Sequence, residues 1–569
     1  MKGKDLRESI LRRWVQLKQD RAPYEAQWLK ISQAVTPASG RFLEGEKSRN
    51  EAADRWNKIY NNTATRAANI LAAGLMSGMT DPASQWFSLT TGDPNLDANA
   101  AVKAWVDQVQ RILEMAFTRT NTYQALHHGW REVGTMGTMA IVIIEDPVAG
   151  FYCVPLVAGE YAIGCNYRGE PDTLYRAFSM TAGQLVSQFG MDKVSNAVRL
   201  CYEQKNYEKR FKCIHAIEPR FERDPSKEDN ANMAYRSVIL LVSHDGDGDG
   251  ILEESGYHEF PAVIGRWGAS GSDVYSEESP GMVALGDALQ LQHQELQKGN
   301  AIDYQVDPPK ILPTSARDKD LDFLPGGVTY VDMPNAGHQA QSAFNVNLNL
   351  QHLTADMEAV KQRINQAFNV DMFLMLSGST KNMTATEVAE RHEEKLMMIG
   401  PVLSRLNHEV LRPLIERAFN ILQRAGQIPP PPPEIVGQPV QIEYTSMLAR
   451  SQRAIRANGL TNFLQVVGQV AQFKPEALLK VNAFNVINEY ADYYSVAPSV
   501  VVPDDEAQAQ LDAQQQQAAQ QARDQQAANA VDSLSKLGGI PADGSTMGGK
   551  AIEAMGQAVG QAMDPNATT

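Results

Sequence analysis

Four short stretches carry residue types that could do chemistry. The first is HDGDGDGILEESG, where Asp245, Asp247 and Asp249 precede Gly250 and Leu252. That is the opening of a calcium loop, three alternating carboxylates and then a glycine for the sharp turn. The loop needs a bidentate carboxylate at its twelfth position, and Gly256 stands there. Its flanks also alternate like strands, so the stretch is expected to be a tight turn between strands that uses glycine for unusual backbone angles. The second is GSTMGGKA (Gly544–Ala551), close to a phosphate-binding loop. It ends in Ala551 where a magnesium-binding hydroxyl should stand, and no strand precedes it. The third is the set Cys153, Cys165, Cys201 and Cys213. None has CxxC spacing and no histidine cluster completes a zinc site, so reduced cysteines buried in strands are expected. The fourth is the pair His127 and His128, which must point to different faces of one helix and read as packing residues. No HExxH or GxSxG is present. No catalytic residue, metal site or cofactor is assigned.

The chain must therefore work through its architecture. It has 569 residues, enough for several domains. Lys and Arg number 52 against 67 Asp and Glu, a net charge of −15. Tight DNA binding along the whole chain is disfavoured, since such proteins carry basic excess. The N-terminus, MKGKDLRESILRRW, lacks an apolar signal core, and no apolar run is long enough to span a membrane.

The dominant element runs from Met383 to Gly426. Thr384 and Glu387 have the spacing of a capping box, with Met383 and Val388 placed as a staple. Leu396, Ile399, Leu403, Leu406, Val410 and Leu414 recur at three- and four-residue steps and make one apolar face. Gly426 suits the C-terminal cap, and Pro429 to Pro433 forbid continuation. Such a helix spans roughly 60 Å. Pro401 and Pro413 lie inside it and should bend it.

Helices are also expected over 5–34, 55–79, 101–117 and 123–133. An α+β region with a mixed or antiparallel sheet follows, with strands over 139–145, 215–221 and 235–242 and a short helix over 180–190. Helices over 281–303 and 349–368 flank a proline- and glycine-punctuated stretch of short strands. A strand near 440 leads to further helices. The Gln/Ala-rich stretch from Asp504 has helix propensity without an apolar stripe, so it is either disordered or a helix held only in an oligomer.

Three runs, TRAANILAAGLMSGMTDPASQWFSL, ILEESGYHEFP through SPGMVALGDALQLQ, and MTATEV with GPVLSRLNHEVLRPLIERAF, resemble the podovirus portal family, the head-to-tail connectors of T7-like phages. The resemblance covers roughly residues 10 to 500. It implies a mainly helical α+β portal fold closed into a ring, usually of twelve subunits. On that scheme 1–280 is the wing, 281–303 and 349–370 the stem helices, 304–348 the clip and 371–383 the tunnel loop. Residues 384–426 form the tunnel helix, 427–450 a return strand to the wing, 451–503 the crown and 504–569 the tail.

The resemblance further implies passage of double-stranded DNA without sequence readout, docking of a terminase and later a tail adaptor, and contact with capsid and scaffolding proteins. It places the protein in the virion after synthesis in the host cytoplasm. Phe373, Leu374, Met375 and Leu376 make an apolar run in the tunnel loop that either tucks into the core or packs against neighbouring loops as a constriction. Ser377, Gly378 and Ser379 would give it freedom, and Lys381 would touch phosphate. Twelve helices about 10 Å apart would leave a bore near 28 Å. Net charge suggests a mostly acidic wall along which DNA slides. Two rivals stay open: a metal-dependent enzyme built on the DGDGDG turn, and a helical scaffold without a channel.

The turn generates a first test. Asp245→Ala with Asp247→Ala should leave the melting temperature of the assembled protein unchanged, with or without a chelator. A calcium-dependent rise in melting temperature that the double substitution abolishes would establish a metal site.

Overall fold

The computed structural model describes residues 3–43, 51–93, 96, 99–227, 229–245, 249–270, 273–312, 324, 326–330, 341–342, 350–376, 398–435, 437, 441–445, 460–461, 463–474, 476, 480–493, 501–502 and 504–537. The chain divides into two compact units, residues 1–455 and 456–569.

The first unit is organised around helix Thr63–Met79. Its Ala64, Ala67, Ala68, Ala72, Gly74 and Gly78 are buried with Leu71, Leu75 and Met79. Small residues let other backbones approach closely, and the helix's own large side chains fill space its neighbours leave. Leu71 packs where a Cβ on Gly134 would otherwise stand. Buried tryptophans fix the surrounding helices through their single polar atom: Trp28 Nε1 donates to the Met136 carbonyl at 2.9 Å and Trp130 Nε1 to Thr80 Oγ1 at 3.2 Å. The helix expected over 55–79 is in fact two, Ala52–Trp56 and Thr63–Met79. Asn61 breaks it: its Oδ1 accepts from the Thr63 N–H, and Gln292 accepts from the N–H groups of Tyr60 and Asn61.

Strands β1 (Phe87–Thr90), β2 (Thr138–Asp146), β3 (Gly150–Leu156), β4 (Tyr161–Cys165), β5 (Pro171–Thr181), β6 (Arg210–Pro219), β7 (Tyr235–Leu241), β8 (Ile251–Tyr257) and β9 (Ala262–Arg266) follow. They make two antiparallel sheets, β3-β2-β9 and β4-β5-β6-β7-β8, while β1 pairs with β13 (Gln441–Tyr444) far along the chain. Helix Gly3–Ala34 covers one face of the five-stranded sheet through Leu6, Ile10 and Leu17. Helices Ala182–Phe189 and Asn196–Glu203 cover another cluster with Leu185, Val198 and Cys201. Cys201 is thus on a helix, not in the strand expected for it, because Val198 and Cys201 share one buried turn. All four cysteines are free thiols.

Helices Leu285–Val306 and Leu350–Ala367 form an antiparallel hairpin. Arg363 pairs with Asp287 at 2.9 Å, and Asp356 accepts from Gln290 and Gln294. Between them lie three short strands, β10 (Lys310–Leu312), β11 (Val328–Tyr330) and β12 (Gln341–Ser342). β10 pairs parallel with β11 and antiparallel with β12.

The long helix is described from Met398 to Arg424, and it is not uniformly α. Asn407–Leu411 form a π-turn, in which the Arg412 N–H donates to the Asn407 carbonyl five residues back. Two causes converge here. Pro413 would press its ring on the carbonyl four residues earlier in an α-helix, and a wider turn relieves that clash. The apolar stripe also slips. Ile399, Leu403 and Leu406 are buried before the turn, and Leu414, Ile415, Ala418, Ile421 and Leu422 after it. At about 100° per residue the two sets are centred roughly one residue's rotation apart. A turn that absorbs one extra residue brings both onto the same core. Pro413 therefore yields a register change here, where a simple bend was expected.

Arginines fasten this helix to the sheets. Glu409, on the π-turn, accepts from Arg266 at the end of β9, with Nη2–Oε1 at 2.8 Å and the Arg266 backbone N–H to Oε2 at 2.9 Å. Their side chains are 11% and 6% exposed. Arg417, 2% exposed, bridges Glu145 of β2 and Glu259, and Arg424 reaches both of them at 2.9 Å. Tyr444 of β13 donates to the Asn407 carbonyl at 2.9 Å. At the far end Gly426, at φ +68°, closes a Schellman cap: its N–H meets the Gln423 carbonyl, and the Gln427 N–H meets that of Leu422.

The second unit carries helical residues 463–473 and helix Ala483–Tyr493, joined by a 2.8 Å bond between Thr461 Oγ1 and Tyr490 Oη. Residues Asp504–Leu537 form one helix, so the described part of the Gln/Ala-rich stretch takes the helical alternative.

Removing one partner of a buried ion pair strands the other charge. Arg266→Ala should cost about 3–5 kcal/mol, whereas replacing both Arg266 and Glu409 by apolar residues of similar volume should recover most of the loss. Denaturant melts of the three proteins check this. Equal stability of Arg266→Ala and wild type would show that the pair does not hold the helix.

Candidate functional site

The site to be built is the corner where the helical hairpin gives way to the long helix. Helix Leu350–Ala367 buries Met357, Val360 and Ile364 and ends where Asn369 adopts φ +52°. Asparagine tolerates this left-handed conformation better than most residues. The Asn369 carbonyl then accepts from the N–H groups of Met372 and Phe373 and starts a new helix, Val370–Leu376.

This corrects the expectation of a loop beginning at Asp371. Phe373 takes the core alternative: it is 5% exposed, and its ring lies against Gly74, where any Cβ would overlap it. A glycine in the core helix leaves the slot, and the i, i+1 pair Met372 and Phe373 fills the core beside it. Leu374 turns the other way and is 39% exposed. Met375 and Leu376 belong to the same short helix. Ser377, Ser379, Lys381, Thr384 and Glu387, with Leu396 of the stripe, lie outside the described residues. So does the phosphate-loop-like stretch Gly544–Ala551.

Where the description resumes, the long helix shows one buried and one exposed face. Met398, Pro401, Ser404 and His408 are exposed. None is a carboxylate, and no Asp or Glu occurs between Lys395 and His408. Sequence reasoning also passed over Arg266, Glu409, Arg417 and Tyr444, which set the helix in place. A signal existed: an arginine closing the apolar strand AVIGR must find a partner once buried.

The chemistry-bearing stretches resolve into structural roles. The DGDGDG turn joins β7 to β8. Asp245 accepts from the Ala197 N–H, and Asp249 from the Ile251 N–H, while Asp247 lies outside the described residues. Gly256 sits within β8, and a side chain there would collide with the Asn230 carbonyl. No group of three or more His, Cys, Asp or Glu among the described residues could hold a metal ion. Burial pushes the Cys153 thiol up to about 11 and the Cys213 thiol to about 12, which keeps both un-ionised and unreactive. His127 is exposed and His128 half-buried, and burial lowers the His128 pKa. Burial alone would raise the Glu259 carboxyl, but Arg424 and Arg417 outweigh it and hold it below the usual range. A groove of about 390 Å³ runs beside helix Arg412–Arg424, walled by Leu89, Trp105, Ile415, Phe419 and Ile442. Glu416 is its one ionisable lining residue, so it offers no acid–base pair. No described helix is long and apolar enough to cross a membrane.

The chain is 46% identical over 539 residues to the "Probable portal protein" of Bordetella phage BPP-1, covering 94% of this chain and 96% of that one. It is 40% identical over 534 residues to the "Portal protein" of Salmonella phage epsilon15, covering 93% and 95%. Among solved structures, a chain of the virion of a native gene transfer agent particle aligns with 79% of this chain and 99% of its own. That alignment has 12% identity and a TM-score of 0.30, and it carries no argument about the fold. The family profile described as bacteriophage head to tail connecting protein matches residues 7–501. With that match and two relatives aligned over nearly their whole lengths, the chain belongs to the bacteriophage head-to-tail connecting protein family.

Proposed function

We propose that this chain is the portal subunit of a phage particle. It forms a closed homo-oligomeric ring at a unique capsid vertex, through which DNA is packaged and ejected and on which the terminase and then a tail adaptor dock. The observation that carries the reading is the 40% identity, over 93% of the chain, to a protein named "Portal protein".

The architecture supports a division of labour. The hairpin 285–306/350–367 is the stem, and the strands β10–β12 between its helices are the clip, a compact element set apart for docking. The tunnel loop follows the short helix Val370–Leu376. The long helix lines the bore, and the second unit, with its helices 463–473 and 483–493, is the crown. Twelve copies would leave a bore of about 28 Å, wide enough for duplex DNA. Such a ring needs heterologous contacts that close. Capsid and scaffolding proteins meet its outer surface. Double-stranded DNA passes without sequence readout, since contacts to phosphate alone carry none. Packaging energy comes from the separate terminase, so the chain is not an enzyme. It is a virion component made in the host cytoplasm.

Phe373 anchors the corner to the core, so the working part of the loop is the stretch that follows it. Shortening Met375 to Lys381 should leave rings and capsids formed while packaged DNA is retained poorly or packaging stalls late. Particle counts and DNA content per particle measure both. Wild-type packaging and retention in the shortened variant would show that this segment neither gates nor guides DNA.

A further inference from the structure

The second unit has helices with well-made ends and no core. Asn482 caps helix Ala483–Tyr493, its Oδ1 accepting from the N–H groups of Phe484 and Asn485 at 3.1 and 3.3 Å. Yet among the described residues of this unit none is buried. Isolated helices shorter than about 12–15 residues are marginal in water, so this short pair needs packing from elsewhere. Residues 463–473 show where. Phe463, Val466, Val470 and Phe473 are 55, 57, 47 and 88% exposed. At about 100° per residue they fall within roughly 80° of one another. Leu460, Leu464, Val467 and Ala471, half-buried, take the adjoining arc. The apolar arc is thus about 180° wide, broader than the stripe that faces a single neighbour. Helix Asp504–Leu537 is Gln/Ala-rich and has no apolar stripe to lay on it.

Charge limits what covers the stripe. No ionisable residue lies between Arg456 and Lys474, in a chain where 21% of residues are charged. Copies in a ring repeat every charge at one height, so a charged seam would be flanked by its own sign. An uncharged seam escapes this. Gln469 borders the stripe with an amide that both donates and accepts, so copies can pair there. A ring closed by head-to-tail contacts also needs two different faces on each subunit. Ile487, 56% exposed, with exposed Ala483 one turn before it, makes a second apolar face on helix Ala483–Tyr493.

We infer that the stripe Phe463–Val466–Val470–Phe473 docks on the Ala483–Ile487 face of the next copy of this chain, and that this contact supplies the packing both helices lack. The inference rests on the reading of the chain as a ring-forming subunit and adds the seam between neighbouring second units.

The test uses the full chain. Val470→Cys and Ile487→Cys, singly and together, are treated after assembly with a short bis-maleimide. The double variant should give covalent dimers, trimers and larger species on a denaturing gel. Each single variant should stay one chain, which also controls for the half-buried thiol of Cys165. A link confined to one chain, or dimers from Val470→Cys alone, would overturn the pairing. Hydrogen exchange is the second readout. Amides of 463–473 and 483–493 should exchange at least severalfold more slowly in the assembled wild type than in the protomer before assembly. Val466→Gln with Val470→Gln should bring them back to the protomer rate or prevent assembly, while helix Thr63–Met79 stays protected and shows that the rest is folded. Gln472→Glu, about 140° around the helix from the stripe, should behave like wild type. Protection already complete in the protomer, or surviving the double substitution, would overturn the seam. Wild type that stays a single chain in native mass spectrometry would remove the ring reading and this inference together. A ring with neither link nor assembly-dependent protection would overturn the inference alone.

Discussion

The constraint on which the rest depends is rotational. A helix this long must face one core along its length, yet its buried residues before and after Asn407–Leu411 fall out of phase by about one residue. The π-turn removes the discrepancy. It leaves an unusual segment that is held from three directions: Arg266 grips Glu409, Tyr444 reaches the Asn407 carbonyl, and Val410 packs where Gly265 has no side chain. The partners come from two strands, Gly265 and Arg266 from β9 and Tyr444 from β13, so the helix setting is coupled to the assembly of both. Beyond the turn Arg417 and Arg424 share Glu145 and Glu259, and the Schellman cap at Gly426 ends the helix before the proline run.

The buried charges that set the long helix stand in company. Arg266, Arg417 and Glu409 are desolvated, and isolated each would be costly. Their multiple partners make the cost bearable and fix geometry, which apolar packing alone leaves looser. His215 illustrates the opposite solution. Fully enclosed within the five-stranded sheet and bonded to Ser237 at 2.9 Å, it is held neutral, its pKa lowered to about 3 by burial and by Arg176. Below about pH 6.5 the unfolded chain would take up a proton there that the folded sheet refuses, so this residue costs stability as pH falls toward 3.

Much of this was legible in the sequence, for identifiable reasons. Long periodic helices, the apolar strand at β2, the strand-flanked DGDGDG turn and the helix–strands–helix order all rest on local pattern. The small-residue helix 63–79 announced close packing, but not that Phe373, some three hundred residues on, would fill the slot at Gly74. The apolar run at 373–376 was therefore misread as a loop, because Asn369 taking a left-handed turn is a tertiary outcome. The π-turn left a trace in the slipped stripe and in Pro413. It needed the buried set to be known before the slip could be measured. Arg266, Glu409 and Tyr444 meet only in the folded chain. A capping box on the pattern expected at Thr384 and Glu387 is present at Thr181 and Gln184, heading helix Ala182–Phe189, where the same Thr-x-x-Gln spacing went unused as a signal.

The central claim is that the long helix forms the inner wall of a closed ring. A cryo-electron microscopy map of the purified, assembled protein tests it most directly, through the radius at which residues 398–424 sit from the symmetry axis. The account predicts a closed ring with a central hole, with this helix innermost at its height. A closed ring with the helix on its outer surface, or an assembly without a hole, would contradict it.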